Sequence, residues 1–164
     1  MGQLSWQDSY MGKLRAALGQ EKLMNVACRG ILLDEDNRVL LVQRNDNQKW
    51  VMPAGSMEVN ESVMDALKRE VYEETGLFIE EAKLIAVYSN PHQYSYESMG
   101  SSYQMLAFVF LVQKWSGELL RCTEETDNAD FFHLENLPDD VPDLYLETIE
   151  DLKKHQKTGE VILK

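Results

Sequence analysis

The chain has 164 residues, 44% hydrophobic and 27% charged, with a formal net charge of −12 at pH 7. That length and balance fit one globular domain with a real core, and no apolar run approaches the span of a bilayer. An acidic surface repels nucleic-acid phosphate, which disfavours a broad DNA- or RNA-coating role. A small anionic substrate stays compatible, because a bound cation reverses the field locally.

The opening MGQLSWQDSYMGKLRAALGQ is polar and interrupted, unlike a secretory leader. Within residues 1–20, the stretch 5–18 predicts a helix. Trp6, Tyr10, Leu14 and Leu18, four apart, would form its apolar stripe, with Gly19 as the stop. LMNVACRGILLDEDNRVLLVQR reads as two strands around the turn DEDN, a hairpin. KWVMPAG is a short extended piece ending in turn residues. It leads into a helix free of Gly and Pro from Glu61 to Thr75, ended by Gly76 as a left-handed cap. AKLIAVYS is strand-like, and NPHQYSYESMGSS is a long polar and aromatic loop. YQMLAFVFLVQKW, the most apolar run, predicts a central strand.

SGELLRC predicts another strand after a tight turn, and ADFFHL a further short one. Residues 142–156 predict an amphipathic helix carrying Leu144, Leu146, Ile149 and Leu152, and KTGEVILK is a tail. No repeat or low-complexity tract divides residues 1–164, so a single domain is expected. Strands and helices mix without regular βα alternation, which predicts an α/β fold with a mixed sheet between helices. Cys28 and Cys122 form no short-spaced motif, which predicts two reduced, buried thiols in a cytoplasmic protein.

The helix after Glu61 poses the chemical question. At about 100° per residue and with Glu70 taken as zero, Val63 falls at ~20°, Glu74 at ~40°, Leu67 at ~60°, Val71 at ~100° and Ala66 at ~320°. Lys68, Tyr72 and Asp65 fall on the far side. Glu70 and Glu74 therefore sit inside the apolar arc, and Glu73 borders it. Carboxylates at i, i+3 and i+4 are neighbours, and unpaired ones taken out of water are costly. Protonation, pairing with bases or a divalent metal would each relieve that cost. Arg69 is the only nearby base with reach, and one guanidinium cannot neutralise three carboxylates. Hard oxygen ligands on one rigid face suit Mg²⁺ or Mn²⁺ with open positions for water and phosphate. A solvated acidic face is the plainer alternative.

The spacing also carries a resemblance. Gly55, five residues, Glu61, seven residues and then REVYEETGL resembles the Nudix box in every fixed position. Those positions are Gly55, Glu61, Arg69, Glu70, Val71, Glu73, Glu74, Gly76 and Leu77. A chance match at a given start has a probability on the order of 10⁻⁹ at ordinary residue frequencies. NRVLLVQRNDNQKWVMPAG and ADFFHLENLP also resemble the family, so the likeness runs from about Met24 to Pro138. LRAALG and EKLMNVA are similar to small bacterial members with an extra leading helix.

The resemblance implies hydrolysis of a nucleoside diphosphate linked to another moiety. It implies a Nudix-type α/β/α sandwich with a mixed sheet, in which residues 55–77 form a loop–helix–loop metal site. By motif position, Glu70, Glu73 and Glu74 bind the divalent cations, and the carbonyl of Ala54 is a further ligand. Arg69 braces the carboxylates by ion pairing, and Glu61 supports the loop or a second metal. Gly55 and Gly76 permit tight backbone at the two helix ends. Mg²⁺, or Mn²⁺ in its place, would neutralise pyrophosphate and acidify a bound water, whose proton a carboxylate takes. Glu70 is the candidate base inside the box. Glu97, Glu124 and Glu125 are candidates outside it, against a reading of each as solvated loop charge.

Arg44 could meet a substrate phosphate or form a surface ion pair. Tyr88, His92, Tyr94, Tyr96 and Tyr103 cluster around the long loop. Tyr94 or Tyr96 is expected to stack on the base, at about 1–3 kcal/mol, or to pack against the second sugar, while Tyr88 caps the core edge. Pro91 lies near the place where ADP-ribose-cleaving members tend to carry a proline, and Ala54 stands where a glycine is commoner. A proline at the start of a loop needs no substrate to explain it. ADP-ribose or another nucleotide sugar ranks slightly ahead of a nucleoside triphosphate in the leading reading. Two competing readings are an RNA 5′ pyrophosphohydrolase, disfavoured by the acidic surface, and a non-catalytic ligand-sensing module. The second is disfavoured because every box glutamate is present. The expected partner is a small nucleotide, with no membrane or nucleic acid, and a homodimer stays open.

Overall fold

The ten residues LMNVACRGIL hold a single charge and form the strand around which the rest is arranged. In the computed structural model, residues 4–98 and 100–164 are described. Residues 1–3 of the expected N-terminal helix and Met99 of the expected long loop lie outside that set. The chain order is α1 (Tyr10–Leu18), β1 (Leu23–Leu32), β2 (Val39–Arg44), β3 (Trp50–Val51), β4 (Ala54–Ser56) and α2 (Val63–Thr75). It continues with β5 (Phe78–Tyr88), β6 (Ser95–Ser98), β7 (Ser101–Ser116), β8 (Thr126–Phe132), α3 (Asp143–Thr158) and β9 (Ile162–Leu163).

The larger sheet runs β4-β1-β7-β5-β9, with β6 also paired to β7. It is mixed: β1 lies parallel to β7 and β9 parallel to β5, and the other pairings are antiparallel. A smaller antiparallel sheet runs β3-β2-β8. Alternation along β1 divides the core. Cys28 and Leu32 face Ala66, Leu67 and Val71 of α2, while Ile31 faces Ile149 and Leu152 of α3. The large sheet is therefore covered on both faces, the expected α/β/α arrangement. Gly30 lets α2 settle closely, because a Cβ there would stand 3.2 Å from a Val71 methyl. The central place of YQMLAFVFLVQKW, in β7, agrees with its apolar reading. No helix among the described residues is long and apolar enough to cross a membrane.

Several elements differ from the sequence reading, each for a local reason. DEDN does join two strands, but only the bridge Leu33–Val39 survives of the hairpin. Beyond it β1 and β2 enter different sheets. NPHQYSYESMGSS is not one loop: β6 folds back on β7, with Gly100 in the left-handed region at φ 73°. SGELLRC forms no strand. Its Leu120 N–H instead satisfies the Thr75 carbonyl at the end of α2. In α1 the buried residues are Met11 and Gly12, whereas Trp6, Tyr10 and Leu18 are exposed. The helix begins only at Tyr10, and Met11 is what reaches the cluster of Leu23 and Tyr103. In α3, Leu146 is exposed and Tyr145 packs inward in its place. The tail adds β9 to the sheet edge. Cys28 is buried as expected, but Cys122 is exposed.

Candidate active site

Ser62 caps α2 with a reciprocal bond pattern, accepting from the Asp65 N–H while the Asp65 side chain accepts from the Ser62 N–H. Gly76, at φ 74°, closes the other end by donating to the Tyr72 carbonyl. A helix so fixed holds its side chains at constant spacing over β1 and β4. Glu74 is 2% exposed and turns into the core side. Its carboxylate accepts the Ala54 N–H at 3.0 Å. Glu70 packs against Gly55 of β4, where even a methyl group would collide with its carboxyl. Glu73 is on the rim of a cleft of about 270 Å³ that Glu70, Ala54, Gly55, Arg44 and Glu125 also line.

Arg69 ties this arrangement together. Its Nε–H donates to Glu61 Oε1 at 2.6 Å, and Nη1 donates to Glu70 at 2.7 Å and to Glu73 at 3.2 Å. Nη2 donates to the Ser56 carbonyl at 3.0 Å and to Glu61 Oε2 at 2.9 Å. A guanidinium has five N–H donors, and these five bonds occupy them all. Arg69 therefore has the geometry of a brace, as motif position implies. Glu61, bonded twice to it, has its pKa lowered by that contact first.

The electrostatics are unbalanced. Burial, reinforced by Glu73 and Glu125 and opposed by Arg69, pushes the Glu70 carboxyl up to about 7. Burial and the neighbouring Glu70 push Glu74 well above the usual carboxylate range, despite the Ala54 N–H. Cys28, beneath the site, is pushed up to about 12 by burial and by Glu70. Among the described residues no three acidic, histidine or cysteine side chains converge closely enough to hold an ion as they stand. Arg69 has drawn Glu61, Glu70 and Glu73 to itself. The donor set nonetheless suits a hard divalent cation: several carboxylate oxygens on one rigid face, short of compensating base, beside the backbone edge at Ala54.

Of the residues expected outside the box, some reach the cleft and some do not. Arg44 lines it, but its guanidinium is paired with Asp46, at 2.8 Å and 3.0 Å. Glu125 lines it too, with its pKa raised by burial against the pull of Arg44. Glu124 and Glu97 do not line it, and both are exposed. Tyr94 is not available for stacking on substrate. It is 5% exposed, stacked on Tyr88 at 4.8 Å, and its hydroxyl donates to Glu147. Tyr88 is wholly buried rather than at the core edge. Tyr96 stacks on Tyr103, accepts from Asn25 and does not line the cleft. Trp50 packs edge-on against Phe132.

Sequence reasoning missed the part of the cleft wall contributed by the turn before α1 and by the first turn of that helix. Leu4, Trp6, Ser9 and Met11 line it, as does Glu58 of the box loop, which accepts the Tyr10 N–H at 2.8 Å. Residues 10 and 58 are far apart in the chain, so no local pattern could have announced the contact.

A model of the NUDIX domain matches residues 24–152. The chain is 35% identical over 116 residues to an ADP-ribose pyrophosphatase of Methanocaldococcus jannaschii, covering 69% of this chain and 64% of that one. It is 37% identical over 100 residues to an 8-oxo-dGDP phosphatase of Homo sapiens, covering 59% of this chain and 27% of that one. Both curated relatives are thus spanned for less than two thirds of their length. The solved MutT NUDIX hydrolase of Burkholderia pseudomallei superposes with a TM-score of 0.64 at 26% identity, over 79% of this chain and 98% of that one. With the box geometry and a domain match over most of its length, the chain belongs to the Nudix family.

Proposed function

We propose that this protein is a divalent-metal-dependent pyrophosphohydrolase, cleaving the anhydride bond of a nucleoside diphosphate joined to another moiety. The observation that carries this reading is the excess of buried carboxylate over base at Glu70 and Glu74, beside a cleft also lined by Arg44. A structure keeps such a charge deficit where a cation is to be received. Glu70, Glu73, Glu74 and the Ala54 carbonyl would hold Mg²⁺ or Mn²⁺. Bound there, the cation supplies neutralisation of the pyrophosphate and acidifies a coordinated water.

The chain's own groups do the rest. Arg69 keeps Glu61, Glu70 and Glu73 at fixed positions and does not touch substrate. Arg44 offers its guanidinium to a phosphate, sharing it with Asp46. Two carboxylates are placed to take a proton: Glu70 in the box and Glu125 across the chain, which has no ion-pair partner among the described residues. Burial raises the proton affinity of Glu70 to about 7, toward the range useful in general-base catalysis, and partial desolvation in the cleft moves the more exposed Glu125 in the same direction. ADP-ribose and nucleotide sugars are the first substrates to test, supported by the name of the archaeal relative, and nucleoside triphosphates the second.

Phosphate or nucleotide release across those compounds, with Mg²⁺, Mn²⁺ or a chelator, tests the reading. Metal-dependent cleavage of at least one class is expected. No cleavage of any, together with no thermal stabilisation by either metal, would overturn it.

A further inference from the structure

The box accounts for pyrophosphate, which every substrate of this class shares, and leaves recognition of the base unassigned. The rings expected to do that work are engaged elsewhere: Tyr94 in the core and Tyr96 on Tyr103. One ring in the cleft wall is not engaged. Trp6 is 57% exposed, lines the same cleft as Glu70 and Arg44, and belongs to none of the ring pairs among the described residues. Leu4, 54% exposed, lines the cleft beside it.

The backbone at Trp6 is also held in a fixed relation to the box. Its carbonyl accepts the Ser9 hydroxyl at 2.7 Å, and Ser9 caps α1 through the Gly12 N–H. Gly12 is required for that turn, because a Cβ there would fall 1.8 Å from the Trp6 carbonyl oxygen. The residue after Ser9, Tyr10, gives its N–H to Glu58 at 2.8 Å, and the Glu58 N–H is bonded to Glu61 at 2.9 Å. Glu61 in turn holds Arg69. Met11 seals the turn from behind on Leu23 and Tyr103. Hydrogen bonds and short covalent steps through Ser9–Tyr10 and Glu58 thus link the backbone around Trp6 to the arginine that braces the carboxylates. The backbone that carries the indole is thereby pre-positioned beside the cleft, which lowers the ordering cost of meeting a ligand.

We propose that Trp6 is the nucleobase-binding residue of the site, its indole face receiving the base while the diphosphate lies at the box and Arg44. This rests on the pyrophosphohydrolase reading for the identity of the ligand, and the test separates the two. The probes are α,β-methylene ADP and inorganic pyrophosphate, with affinities measured by calorimetry in Mg²⁺. In Trp6→Ala the Kd of the analogue should rise about tenfold, equivalent to about 1.4 kcal/mol, within the range of base–aromatic stacking. The Kd of pyrophosphate should move less than about twofold, since that probe has no base. Trp6→Phe should recover most of the affinity. In the wild type the analogue should quench tryptophan emission, and in Trp6→Phe, where Trp50 and Trp115 remain, that quench should vanish.

Unchanged analogue affinity in Trp6→Ala overturns the proposal, as does an equal loss for both probes, which would mark a structural role. A change in oligomeric mass without a change in affinity would make the exposed ring a contact between copies, and also overturns it. Hydrolysis with unchanged Trp6→Ala affinity removes this inference alone. Base-dependent binding without hydrolysis of any nucleotide removes the enzymatic reading alone.

Discussion

The carboxyl carbon of Glu70 lies where a side chain on Gly55 would have to be: a Cβ built at Gly55 falls 1.9 Å from it. The glycine is needed here for close approach, not for an unusual φ. Gly55→Ala should therefore leave the fold intact, because the colliding group is the far end of a flexible side chain. Glu70 must swing away, however, and displacement of about 1 Å in a catalytic constellation costs on the order of a hundredfold. The expected outcome is near-normal urea unfolding with kcat/KM reduced by about that factor. Wild-type turnover in Gly55→Ala would show that the position of Glu70 is immaterial.

Glu73→Gln and Glu74→Gln should each lower kcat by orders of magnitude in saturating Mg²⁺. Both replacements keep the shape, and in Glu74→Gln the amide oxygen could still accept the Ala54 N–H. Without metal the variants should be as stable as the parent or more so, since repulsion within the carboxylate group is relieved. Thermal melting with and without chelator checks the second half. Near wild-type turnover in either variant removes it from the cation site.

Arg69→Ala deletes five hydrogen bonds at once and leaves Glu61, Glu70 and Glu73 without their shared base. A loss of about 2–3 kcal/mol is expected, less than for a fully buried pair broken from one side because the arginine and its partners are only part-buried. Arg69→Lys should recover little, because an ammonium cannot reproduce the planar fork. Chemical denaturation of both variants measures this. Normal stability with abolished turnover would instead make Arg69 a direct contact of the substrate.

Tyr94→Ala should damage the core rather than the KM. Its ring is stacked on Tyr88 and nearly closed off from solvent, so a loss of about 3–5 kcal/mol is expected, in line with buried aromatic truncations. A variant with parental stability and a raised KM would return Tyr94 to the substrate.

The two thiols should separate cleanly under a disulfide reagent at pH 8. Cys122 is exposed and should react at once, while Cys28 is buried with its pKa pushed up to about 12, which suppresses the reactive thiolate. One equivalent should titrate in the native protein and two after unfolding. Rapid reaction of both would contradict the closed packing of α2 on β1.

The box was legible because its determinants are local. Glu70, Glu73 and Glu74 share one helix, whose geometry fixes their spacing, and the apolar partners on the same arc give the side that faces inward. The two covered faces of the large sheet followed from the unbroken apolar character of β7. Trp6 was misread because a four-residue period looks the same whether the first member lies in the helix or in the turn before it. The residue that does anchor α1, Met11, depends on Leu23 and Tyr103, and the latter is 92 positions away (103 minus 11). Tyr94 carried no local mark of burial either. Its partner Tyr88 ends β5, and only the return of β6 along β7 brings the two rings together.

The parallel pairing of β1 with β7 also governs when this protein becomes complete. Leu23 meets Tyr103, eighty residues later (103 minus 23), and Leu32 meets Val112. On the ribosome, the strands and acidic helix of the box emerge well before the strand that backs them. During that interval β1 has β4 on one side and an open edge on the other, a template for unwanted pairing. The core on both faces of β1 is complete only once β7 has docked, and pairings of such long sequence separation form slowly. Truncation between residues 78 and 100 would leave a fragment with the whole carboxylate motif but without β7, the strand that joins β1 to β5.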